Sequence, residues 1–169
     1  MKKLRDIIVE KEEELFDLEK HMKNREYGFI SADRGEYSPA ENVQRALKLH
    51  KDLLHTGHEI TPVKGGYIEN YKTPKAKSVY ENTFMVSHGK TGENGGVKEN
   101  LISLGKKYEQ DSVMHKPYDS DTANFHGTKE GAYPGLGNTD PVGKFKWASA
   151  DNPPEFHTKL SDGRVFHFA

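Results

Sequence analysis

The chain has 169 residues, a third of them apolar, with 25 basic and 26 acidic side chains and a net charge of −1. A mean hydropathy of −0.89 allows only a modest core, and the balanced charge excludes the broad basic field that attracts nucleic acid. Disulfides, thiolate metal sites and thiol nucleophiles are excluded by the lack of cysteine, and no apolar run is long enough for a membrane span or a secretory signal. One cytoplasmic domain over 1–169 is the simplest expectation.

In chain order, Leu4, Ile8, Leu15, Leu18 and Met22 recur at helical spacing among many charges, which predicts an accessory helix over 4–24 that docks on the body or self-associates. Tyr27–Ala32 reads as a strand, short and partly aromatic. Ser38-Pro39-Ala40-Glu41 is a helix start: Ser38 caps, Pro39 fits the first turn, and Glu41 completes a capping box. Val43, Ala46, Leu47, His50, Leu53 and Leu54 then form one face, and Gly57 stops a helix over about 39–55. His58–Val63 and Tyr67–Tyr71 are extended on either side of a bend at Lys64-Gly65-Gly66, and Val79–Ser87 is rich in β-formers. The tract HGKTGENGG reads as a loop. Val97, Leu101, Leu104 and Tyr108 follow at helical spacing with Asn94 as a cap, and Asp111–Lys116 is a short strand before Pro117.

The resulting order, β-α-β-β-α-β over about 27–116, predicts an α+β ferredoxin-like βαββαβ sandwich: a four-stranded antiparallel sheet with two helices on one face. Its other face needs a cover, supplied by oligomerisation or by the rest of the chain. Residues 117–169 are rich in Gly, Pro, Asp and Asn and read as an irregular extension, with short strands near 123–126, 143–148 and 163–168.

Few motifs carry chemistry. Gly89-Lys90-Thr91 lacks the glycine that a phosphate loop needs five residues earlier, where Phe84 stands. The loop still offers backbone N–H groups near Asn94–Gly96 to an anion. The nine histidines include no metal-binding spacing, so we expect no metal. His126-Gly127-Thr128 is half of a two-histidine phosphoesterase signature, but His157-Thr158 has its threonine one place early. The stretch PVKGGYIE over 62–69 sets Tyr67 and Glu69 on one strand face after two glycines. By itself it reads either as a solvated strand face or as a site.

Several stretches together favour the site. Ile30-Ser31-Ala32 with Arg34 after it, the helix that follows, Gly65-x-Tyr67-x-Glu69, and Tyr108-Glu109-Gln110-Asp111-Ser112-Val113 occur in that order over about 27–116. In order and spacing they resemble the phage-encoded enzymes that degrade S-adenosylmethionine (SAM), long called SAM hydrolases and now understood at least in part as SAM lyases. The resemblance implies a ferredoxin-like fold similar to trimeric PII-type proteins, with active sites between the subunits of a homotrimer and no cofactor. It matches Glu69 to the family's catalytic carboxylate, with Tyr67 on the same face. Ser31, Arg34, Gln110 and Ser112 become candidates for substrate binding.

The implied chemistry is intramolecular. The substrate's own α-carboxylate attacks its γ-carbon, closing homoserine lactone and expelling 5'-methylthioadenosine, so orientation and desolvation are what the protein supplies. Glu69 would hold the substrate ammonium. Hydrolysis to homoserine with Glu69 as general base is the rival reaction. A non-catalytic PII-like nucleotide or SAM binder, or a structural phage protein, are the rival classes. No nucleic-acid or membrane partner is expected. For a phage product the compartment is the host cytoplasm, and SAM depletion would serve anti-restriction.

Overall fold

A computed structural model describes residues 17–169. The expected helix over 4–24 falls mostly outside them. Its described part is a short helix, α1 (Leu18–Met22). There follow β1 (Arg25–Ser31), α2 (Pro39–Leu54), β2 (Glu59–Glu69), β3 (Lys77–Thr91), α3 (Val97–Lys107), β4 (Ser112–Lys116), β5 (Thr122–Gly127), β6 (Thr139–Ala148), β7 (Phe156–Lys159) and β8 (Val165–Phe168).

The strands form one closed antiparallel barrel in the order β1-β3-β2-β7-β8-β6-β5-β4. This overturns the ferredoxin-like, PII-like sandwich with an irregular tail. Residues 117–169 are not an irregular extension: they supply four of the eight strands and seal the sheet on itself. Their seams are β4 with β5, where Ser112 faces Gly127, and β2 with β7, where Gly65 faces Thr158. Closure removes both sheet edges, and the bare sheet face expected to need a cover becomes the barrel lining.

Strand alternation explains why two cores exist. Phe29 and Met85 point into the barrel with Val63, Ala123, Phe166 and Phe168. Their sequence neighbours Ile30, Phe84 and Val86 point outward and pack under α2 and α3 against Leu49, Leu53, Val97 and Leu101. The aromatic filling is the tail's own: Phe145 stacks on Phe166 at 5.0 Å, and Phe168 meets Phe29 edge-on at 5.7 Å. Leu18 and Met22 of α1 join this inner core alongside Tyr27, at the end where β1 begins.

Local chemistry sets the helices. Ser38 Oγ accepts from Glu41 N at 3.1 Å, and Pro39 opens α2. The cap of α3 is Gly96, in the left-handed region, rather than Asn94, whose side chain accepts from Tyr118 N. Gly28 lets α3 lie close on β1, because a Cβ there would stand 2.4 Å from Leu101 Cδ1. The expected HGKTGENGG loop is shorter than predicted, since β3 continues through Gly89 and Lys90 to Thr91.

A buried polar group underlies α3. Glu26 and His115 are almost fully buried and their side chains meet at 2.7 Å. Glu26 also accepts from Gly95 N at 2.8 Å and Val97 N at 3.3 Å. The backbone donors that the sequence offered to an external anion are therefore taken by the chain's own carboxylate. Burial opposes its ionisation, but the His115, Gly95 and Val97 hydrogen bonds together outweigh burial and hold Glu26 down at about 2.

Candidate active site

The site begins where β1 ends. Ser31 is the last residue of β1 and pairs with Thr83, but β2 and β3 run on together as far as Glu69 and Lys77. This overhang forms one wall of a cavity of about 380 Å3 at the barrel mouth. That size falls within the roughly 300–1,000 Å3 usual for small-molecule sites. The floor carries Phe29, Met114 and Phe125 from the inner faces of β1, β4 and β5.

Ser31, Arg34, Gln110 and Ser112 all line this cavity, brought together from two loops and two strand ends. Their hydrogen bonds hold the rim. Ser31 Oγ donates to Asn82 O at 2.8 Å and accepts from Asp33 N at 3.0 Å. The Asp33 carboxylate accepts from Asn82 N at 2.9 Å. Gln110 Nε2 donates to Asp33 O at 3.2 Å, tying the loop after β1 to the segment before β4. Arg34 donates to Glu109 O, pairs with Glu36 and stands 4.0 Å from Asp111. From α2, Arg45 donates to Ala32 O and Tyr108 O, so the helix fixes both loops.

Tyr67 and Glu69 stand apart from these four. Gly65, Tyr67 and Glu69 alternate onto the same face of β2, and Gly65 lines the cavity. At two residues per step, Tyr67 lies about 7 Å farther out and Glu69 about 14 Å. Tyr67 is half-buried and Glu69 is exposed at the lip, opposite Lys77 in the ladder. Burial raises the Tyr67 phenol, helped by the negative charges of Glu81 and Glu69.

Glu81 is the functional candidate that the sequence reading missed. It lies opposite Gly65 in the β2–β3 ladder and lines the cavity. Burial, with the carboxylates of Asp33 and Asp111 adding to it, pushes Glu81 up to about 7. A signal was present in VYENTFMVS: Val79, Glu81, Thr83 and Met85 share one face, and Glu81 is its single charge.

Gly65 keeps this wall open. A Cβ there would stand 2.6 Å from Thr83 Oγ1. Gly65→Val is expected to cost about 1–3 kcal/mol of stability by overpacking and to weaken ligand binding in the cavity. Thermal unfolding and titration calorimetry check the two effects separately.

No cluster of metal-ligating side chains occurs among the described residues, and two of the buried histidines have partners within the chain. His157 Nδ1 lies 2.9 Å from Pro154 O, and His126 Nδ1 lies 3.0 Å from Thr139 Oγ1. Burial lowers His126 to about 4, with Lys98 and His115 adding to it. A histidine lowered on folding leaves the unfolded chain with the extra proton, so stability falls with acid below about pH 6.5. His126→Asn is expected to flatten the loss between about pH 6.5 and 4, by up to ~3 kcal/mol. Urea midpoints measured across that range check it.

A mouth cavity of small-molecule size gathers four of the expected residues, and the S-Adenosylmethionine lyase family model matches residues 28–168, most of the chain. A search of curated proteins finds no match. The matched span runs from within β1 to β8 and takes in every segment that lines the mouth cavity: the chain belongs to the S-adenosylmethionine lyase family.

Proposed function

We propose that the protein cleaves SAM to 5'-methylthioadenosine and homoserine lactone. The reading rests on family membership and, within the molecule, on one observation: Ser31, Arg34, Gln110 and Ser112 converge on a single cavity beneath Tyr67 and Glu69. The substrate carboxylate oxygen bonds to the γ-carbon as the carbon–sulfur pair leaves with sulfur, turning a sulfonium into a neutral thioether. The chain's task is to fold the methionyl arm into that geometry and strip water from the carboxylate. In this reading Glu69 takes the substrate ammonium, Tyr67 packs against the methionyl arm, and Ser31, Arg34, Gln110 and Ser112 line its seat.

An exposed Glu69 needs a second wall. We place the neighbouring subunit of a homotrimer there. What supports self-association is an apolar groove of about 650 Å3 between α2 and the β2–β3 face, with Leu47, Val43 and Tyr80 unusually exposed. No helix among the described residues is long and apolar enough to cross a membrane. The cytoplasmic setting and an anti-restriction role follow from the resemblance to phage enzymes alone.

Glu81 at about 7 supports a second reading. A carboxylate near neutrality suits a general base, which would take a proton as water attacks the γ-carbon, giving homoserine. Turnover in 18O-water separates the two. Lactone formation leaves the γ-oxygen unlabelled, and any later opening of the ring labels the carboxyl. Label in the γ-hydroxyl at the earliest times would replace the lyase mechanism with hydrolysis.

A further inference from the structure

We infer that Glu81 is the residue that recognises the sulfonium charge, so that the site holds cationic substrate and lets go of neutral thioether product. The inference rests on the SAM-cleaving reading and adds a specificity determinant to it.

Glu81 differs from the other charged groups of the cavity in what already occupies them. Asp33 is engaged by the backbone and side chain of Asn82. Arg34 is held by Glu36, Glu109 O and Asp111. The Glu81 carboxyl makes no hydrogen bond or ion pair among the described residues. It projects from the overhanging wall, where the facing position, Gly65, has no side chain to fill the space.

The groups facing it come from every wall. Asp33, Arg34 and Glu36 belong to the loop after β1, Asp111 to the segment before β4, and Tyr67 to β2. The one cation in that set, Arg34, is committed to the rim. The carboxylates therefore oppose a negative Glu81 and nothing nearby rewards it. A cationic ligand would, by supplying the missing partner. Ligand charge and Glu81 ionisation are then linked: arrival of the sulfonium favours loss of the Glu81 proton, and cleavage to a thioether removes the charge that held it off. The geometry fits a fixed cation in a semi-enclosed polar seat whose lining includes Phe29 and Phe125.

Two unreactive probes test this. S-adenosylhomocysteine carries a neutral sulfur. Sinefungin carries an amine-bearing carbon in its place and is cationic there. Their affinities are measured by titration calorimetry on wild type and Glu81→Gln, at about pH 8.5 and about pH 5.5, either side of the Glu81 value of about 7. Wild type should prefer sinefungin by at least about tenfold at the higher pH, the discrimination of one charge-assisted contact, and by clearly less at the lower. Glu81→Gln should lose the preference at both. A preference unchanged in Glu81→Gln, or equal wild-type affinities, overturns the assignment while leaving the cavity as a SAM site. Failure of both probes to bind wild type overturns both the assignment and the reading beneath it. If Glu81→Gln folds poorly, wild type alone decides: sinefungin binding near pH 7 should release roughly half a proton, read as a buffer-dependent heat, and a buffer-independent heat refutes the linkage.

Discussion

Glu69→Gln is expected to lower SAM turnover by about 100-fold or more, with the circular dichroism spectrum, unfolding midpoint and oligomeric size staying those of wild type. The substitution keeps the side chain's shape and removes its charge. Loss of one charge-assisted hydrogen bond costs about 1.5–3 kcal/mol, and loss of the orientation it enforces costs about as much again. Structural side effects are small because Glu69 is exposed at the end of β2, where only the ladder to Lys77 uses its backbone. Steady-state rates, with light scattering for the assembly, read the two consequences apart. Wild-type turnover in Glu69→Gln would remove Glu69 from the proposed site and leave the mouth cavity, with Glu81, as the whole of it.

Glu26→Ala is the most destabilising single substitution we expect, at about 3–5 kcal/mol, the usual cost of breaking a buried pair by removing one partner. Glu26 is 1 % exposed and ties three elements together through His115, Gly95 and Val97. Its removal leaves His115 and two backbone donors unsatisfied beneath α3. Glu26→Gln, which keeps an acceptor, should lose less, and a double substitution of Glu26 and His115 to leucine less than the sum of the singles. Urea denaturation checks the series. The acid dependence has a definite sign. Glu26 is lowered to about 2 on folding, so its contribution is present above the ordinary carboxylate value of about 4.3 and is lost as pH falls towards 2. Acid stability curves of Glu26→Gln should lack that loss.

Much of the element order could be read from local chemistry. Ser38-Pro39-Ala40-Glu41 announces α2 because the cap, the ring and the returning carboxylate each satisfy a backbone requirement. Tyr27–Ala32 was legible as a strand, but not its facing: both faces are buried, Phe29 turning inward and Ile30 outward. Architecture was another matter. β6 contains Pro141 and Gly143, which normally argue against a strand, and Pro141 is tolerated beside a break in register between Ala123 and Asn124. β7 has four residues and no pattern to read. What makes these segments strands is non-local: Phe145, Phe166 and Phe168 fill a barrel together with Phe29 of β1, more than a hundred residues earlier. Without the tail, four strands and two helices suggest an open sandwich. With it, the sheet closes.

The candidate site was legible in the same partial way. Period two correctly put Tyr67 and Glu69 on one face, but how far along the wall they lie depends on where β1 stops, which only the β1–β3 register fixes. Glu81 escaped notice because an isolated carboxylate in a strand reads as solvated until the opposite wall is known.

The central claim is that this barrel cleaves SAM unaided. Purified protein incubated with SAM, with no metal added, and resolved by chromatography with mass detection tests it directly. The account predicts 5'-methylthioadenosine with homoserine lactone from the first time point. SAM left intact under those conditions would contradict it.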